Sequence, residues 1–126
     1  MPMSTIETAI LVIQGLLGLI MLASGGVKFI RTDFHTTQFD QFGYPQWFLI
    51  VTGGVEVLGG LGLLAGLVFA PILGVLGGFL IATTMIGAIL THLVRVDDPL
   101  SASIPAAVFL VAGLVVMIPE LLTFQP

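Results

Sequence analysis

The sequence predicts an all-α fold: a membrane-embedded antiparallel four-helix bundle with a short interfacial segment between the first and second helices. Three observations carry that expectation. The chain is 57% hydrophobic and 8% charged over 126 residues, with a mean hydropathy of +1.19, which lies outside the range of soluble globular domains. Four stretches, residues 6–30, 47–66, 71–94 and 102–122, each supply the roughly 20 apolar residues needed to cross hydrocarbon at about 1.5 Å per residue. Short breaks separate these stretches, and the length suits one integral membrane domain, 1–126.

Taken in order, Ile6 to Gly26 is apolar, long and not preceded by Lys or Arg, so it reads as a retained helix and not as a cleaved signal. Thr32 to Pro45 is too polar to span and too aromatic for a plain linker. Thr32 or Asp33 is placed to cap a short helix that buries Phe34, Phe39 and Phe42 in the interface, with Gly43-Tyr44-Pro45 turning into the second span. Tyr44 and Trp47 suit headgroup depth, so the segment reads as an anchor before it reads as a gating lid. The few residues around Gly66 to Pro71 make a tight hairpin, with Pro71 in the first turn of the third span, where a missing N–H costs nothing. Asp97-Asp98-Pro99 then breaks the chain before the fourth.

Four antiparallel spans put both termini on one side of the membrane. Lys28, Arg31 and Arg95 all fall on the other side, which the positive-inside rule makes cytoplasmic and the termini external. The spans are dense in glycine. In lipid no hydrophobic force drives helices together, so small residues allow the close approach at which dispersion contacts hold. Gly62 to Gly66 and Gly74 to Gly78, both G-x-x-x-G, flank the tight hairpin and are expected to pack it.

Polar residues inside the spans are the functional candidates, because each must find a partner in hydrocarbon. Helical spacing places Gln14, Met21, Ser24 and Lys28 on one face of the first span, and Thr52 with Glu56 on one face of the second. Thr84, Ala88, Thr91, His92 and Arg95 line the third. The fourth has no such stripe and reads as a packing and lipid-facing element. A polar pocket closed by the first three spans follows, with Glu56, Lys28, His92, Thr52, Thr84, Ser24 and Gln14 as its candidate ligand-binding residues.

Counting depth from the loops puts Glu56 near the midplane with Thr83 and Thr84, and puts Lys28 and His92 near the mouth. On that count Glu56 is expected to hydrogen-bond a threonine or Gln14 in preference to pairing with Lys28. The ordinary alternatives are snorkelling for Lys28, a carbonyl partner for His92, and bonds to their own backbone for Thr83 and Thr84.

Several chemistries find no support. There is no cysteine, so thiol chemistry is excluded. His35 and His92 lie on different segments with no carboxylate spaced as a co-ligand, so no metal site is expected. Three scattered basic residues make no nucleic-acid surface. No nucleophile has an evident base and orienting group, so catalysis by this chain alone is not expected and catalytic residues are unknown.

These residues also carry a resemblance. Gly25-Gly26-Val27-Lys28-Phe29 resembles the glycine and lysine signature that closes the first helix of the DoxX and DoxX-like family of small four-helix membrane proteins. Gly43-Tyr44-Pro45 looks like that family's turn into its second helix. Gly53 to Leu64, around Glu56, is similar to the second helix itself, and Ala88 to Leu93 to the end of the third. The chain departs from the pattern at Ser24, where a His often precedes the glycine, and in lacking basic residues before the first helix.

The resemblance implies the four-helix fold. It also implies association with a quinone-reducing thiosulfate oxidoreductase, with membrane redox complexes that defend against oxidative stress, or with assembly of other membrane proteins. The leading expectation is an auxiliary subunit that binds a lipid or quinone-like molecule in support of a membrane redox complex, with no covalent cofactor and with membrane lipids and another membrane protein or a second copy as partners. The alternatives are a non-enzymatic assembly factor and, third, a proton or small-solute transporter.

Overall fold

A computed structural model describes residues 3–123 of the chain. It contains α1 (Thr5–Phe29), α2 (Asp33–Phe42), α3 (Gln46–Val68), α4 (Pro71–Leu90) and α5 (Ile104–Thr123). A π turn, Thr91–Arg95, prolongs α4, and a 3₁₀ turn, Leu100–Ser103, leads into α5. Among the described residues, four helical segments are long and apolar enough to cross a membrane: α1, α3, α4 with its π turn, and α5 with its 3₁₀ turn.

Local sequence explains the ends. Ser4 caps α1, its Oγ accepting from the Glu7 N–H at 3.1 Å. The interfacial α2 stops at Gly43, whose φ of 78° is a left-handed conformation that glycine adopts without steric cost. Its N-cap, Thr32, makes no side-chain cap bond. Pro45 immediately precedes α3, and Pro71 opens α4.

The bundle is built around α3, which packs along α1 on one side and α4 on the other; α4 packs in turn on α5, and α5 closes against α1 more loosely. Glycines set these distances. A Cβ built on Gly25 of α1 would lie 2.5 Å from the Gly53 carbonyl oxygen of α3, and one on Gly60 would lie 2.7 Å from the Gly18 oxygen. Across the hairpin, a Cβ on Gly66 would meet the Gly74 nitrogen at 2.5 Å, and one on Gly77 the Gly59 oxygen at 2.6 Å. Backbone therefore touches backbone, the packing that lipid demands. The two G-x-x-x-G motifs share this hairpin only in part, because Gly78 faces Gly113 and Met117 of α5.

Leu17, Met21, Leu63, Ile81, Met85 and Val116 fill the centre. Large apolar side chains such as Leu16, Leu58, Phe79 and Val111 point outward, as a lipid solvent allows. Of the three α2 phenylalanines expected in the interface, Phe39 instead turns into the protein and is buried, whereas Phe34 is exposed. Phe39 has Phe42, Tyr44 and Phe48 around it, so α2 is fixed to the bundle by an aromatic cluster.

Candidate functional site

Where α1 meets α3, three side chains form a buried ionic triad. Lys28 Nζ lies 2.6 Å from Glu56 Oε1, and Ser24 Oγ donates to Glu56 Oε2 at 2.9 Å. The same ammonium donates back to Ser24, to its Oγ at 3.1 Å and its carbonyl at 3.3 Å. Lys28 thus hydrogen-bonds Ser24 twice and meets Glu56 Oε1 as an ion pair, a contact whose angles do not make a hydrogen bond. The side chains of Lys28 and Glu56 are only 11% and 4% exposed, so the pair exists in low dielectric.

This corrects the expectation that Glu56 meets a threonine or Gln14. Backbone depth places Lys28 and Glu56 on different levels, but helical side chains slant toward their helix N-terminus. On α1 that slant carries Lys28 inward, back by one turn to Ser24. On antiparallel α3 it carries Glu56 outward, and the Gly25–Gly53 contact lets the two meet.

The expected threonine partners bond their own helices. Thr84 donates to the Leu80 carbonyl at 2.8 Å, Thr83 to Phe79 at 3.0 Å, and Thr52 to Phe48 at 2.8 Å. Gln14 is buried in the opposite half, where its Nε2 donates to the Leu63 carbonyl at 2.7 Å beside Gly66 and Gly74.

At the loop end, the π turn organises a second group. Thr91 donates to the Gly87 carbonyl at 2.8 Å, so the Tyr44 hydroxyl, 2.7 Å from Thr91 Oγ1, is the donor in that contact. Tyr44 consequently ties the turn between α2 and α3 to the π turn after α4, as well as being an interfacial ring. Arg95 lies over the Tyr44 ring at 4.4 Å and donates to the Phe42 and Gly43 carbonyls at 2.7 and 3.2 Å. His92 Nδ1 is 2.8 Å from Asp98 Oδ2, and the Phe42 ring meets the imidazole edge-on at 5.2 Å. In the sequence Asp98 marks only a chain break. Six residues from His92, it lies off the helical face, and the π turn and the bend at Asp97, whose φ is 52°, bring it round.

A cavity of about 630 Å³ lies between these two groups. Ser24, Lys28, Thr52, Glu56, Thr84 and His92 all border it, and Gln14 does not. The pocket expected from the first three spans is wider than that: α2 roofs it with Gln38, Phe39 and Phe42, and α5 contributes Ala106 and Phe109. The fourth span is thus more than a packing element, and its apolar side chains were invisible to a search for polar stripes. Met21, Phe48, Val51, Val55 and Met85 make the rest of the wall largely apolar.

Just outside the cavity, His35 on α2 keeps a buried Nδ1 without a hydrogen-bond partner. Burial first, and the nearby Lys28 charge second, push its pKa below the ordinary 6.5, against a smaller opposing pull from Glu56. Among the described residues, no group of three or more His, Cys, Asp and Glu is arranged to hold a metal ion.

The model of the DoxX-like family matches residues 12–116, a region that contains the triad, the cavity and the His92 turn. The chain belongs to the DoxX-like family. One relative in sequence is the uncharacterized protein YdgD of Bacillus subtilis (strain 168), 32% identical over 101 residues that cover 80% of this chain and 88% of that protein. No solved structure matches significantly. Membership and the four apolar spans make this a multi-pass DoxX-like membrane protein.

Proposed function

We propose that this DoxX-like protein is an auxiliary membrane subunit that holds a lipid or quinone-like amphiphile in the cavity roofed by α2, in support of a membrane redox partner. The supporting observation is the cavity itself. Its volume, about 630 Å³, falls within the range of small-molecule sites, and its largely apolar wall carries a few convergent polar groups. Apolar side chains from α3, α4 and α5 suit a ring or chain, and the polar groups at the triad and at His92 suit a head. The partner supplies the electrons in this reading.

An assembly factor that docks through glycine-rich faces receives less support. The glycines of α1, α3 and α4 are mostly packed against one another, and only Gly26 and Gly87 have open space beside them. A transporter would need a path through the bundle, whereas Gln14 and the core around Leu63 and Ile81 fill the half beyond the cavity.

Extraction and mass analysis of the purified protein tests the proposal. Wild type is expected to retain a neutral amphiphile near one per chain, and Ala88→Phe, which fills the cavity from α4, is expected to lose most of it. Equal amounts of the same compounds in both would sink the reading.

A further inference from the structure

The hydrogen atoms on the cavity wall are almost all directed into the protein. Ser24 donates to Glu56, Thr52 to the Phe48 carbonyl, Thr84 to Leu80, Thr91 to Gly87, and Tyr44 to Thr91. The Lys28 ammonium donates twice to Ser24 and is held against Glu56 Oε1 at 2.6 Å. What these groups leave to a ligand is lone pairs: a hydroxyl that has given its hydrogen can still accept, and a carboxylate only accepts.

His92 extends the pattern. Its Nδ1 faces the Asp98 carboxylate, which cannot donate, so Nδ1 carries the proton. In the neutral imidazole Nε2 is then an acceptor, on a side chain that borders the cavity. Gln38 is the exception among the described lining residues, with an amide that offers donor and acceptor alike and therefore discriminates little. Charge on the wall is balanced as well. Lys28 is matched by Glu56, and Arg95, which does not line the cavity, is tied to the Phe42 and Gly43 carbonyls.

We infer that the cavity selects neutral amphiphiles whose ring bears two hydrogen-bond-donating hydroxyls, a hydroquinone, over the corresponding quinone, with His92 Nε2 accepting from one hydroxyl and Thr84 Oγ1 from the other. The inference rests on the cavity reading above and adds which oxidation state of a quinone-like molecule is held. A carbonyl head placed there sets lone pair against lone pair, and a site whose polar groups are left unpaired rejects such a ligand. An anionic head meets no free cation. Asp98 and Phe42 are positioning residues in this scheme, fixing the tautomer and the plane of the imidazole.

Binding of a matched pair tests it: a benzoquinone with a decyl tail and the hydroquinone obtained from it by reduction. Both are titrated anaerobically into the purified protein in lipid nanodiscs, beside the dimethyl ether of the hydroquinone. The hydroquinone is expected to bind about fivefold or more tightly than either the quinone or the ether, the scale of one hydrogen bond. His92→Phe and the near-isosteric Thr84→Val should each bring that ratio toward one, and Thr84→Val guards against a fold defect. Equal or tighter binding of the quinone, or a ratio unmoved by both variants, overturns the inference while the cavity reading stands. Failure of all three compounds to bind overturns both.

Discussion

Lys28 and Glu56, 28 residues apart in sequence, face each other at 2.6 Å between the first two spanning helices, with Ser24 bonded to both. An ion pair at this depth is stabilising only relative to a broken one, because desolvating two charges costs nearly as much as their attraction returns. Breaking the pair leaves one charge without an answer in hydrocarbon. Glu56→Ala or Lys28→Met alone is therefore expected to lower stability by about 3–5 kcal/mol, and the double variant Lys28→Met/Glu56→Leu to recover most of that loss. Thermal unfolding in a mild detergent measures it, and single and double variants of equal stability would contradict the account.

The glycine contacts predict opposite signs at neighbouring positions. Gly25→Ala places a Cβ 2.5 Å from a backbone oxygen of α3, which cannot move aside, so the α1–α3 contact should open and the melting temperature fall. Gly26→Ala, with nothing within 4 Å, should leave stability unchanged or raise it by up to about 1 kcal/mol through helix propensity. The same melting assay decides, and similar losses at both positions would refute the packing argument.

His35 makes the docking of α2 depend on pH. Its pKa in the folded protein lies below 6.5, so the folded state prefers the neutral ring. The stabilisation is complete above pH 6.5 and is lost as pH falls through the lower, folded-state value. Trp47, the single tryptophan, follows α2 and reports on that end of the molecule. Its emission is expected to shift on acidification in wild type and to stay constant in His35→Phe over the same range.

Orientation is open to direct labelling, because the chain has no cysteine. With Lys28, Arg31 and Arg95 at the α2 end, the positive-inside rule places that end in the cytoplasm. A membrane-impermeant thiol reagent added to intact cells should label Met3→Cys, which is exposed just before α1, and spare Asp97→Cys. The reverse pattern would put the cavity roof on the outside.

Sequence alone determined the four spans, the interfacial α2, the hairpin at Pro71 and the family, since each depends on local quantities: apolar length, turn chemistry and short motifs. It also marked Ser24, Lys28, Thr52, Glu56, Thr84 and His92, because a polar group in hydrocarbon stands out wherever its partner is. Which partner each one takes was decided by the tertiary structure. The slant of side chains along antiparallel helices joined Lys28 to Glu56 across levels that a backbone count kept apart. The π turn swung Asp98 onto His92, beyond the reach of any i, i+4 rule. Gln14 belongs to the far half because its amide found the Leu63 carbonyl where the α3–α4 glycines meet. Apolar lining such as Phe109 has no signature in a chain where nearly everything is apolar, and only packing separates the residues that face lipid from those that enclose the cavity.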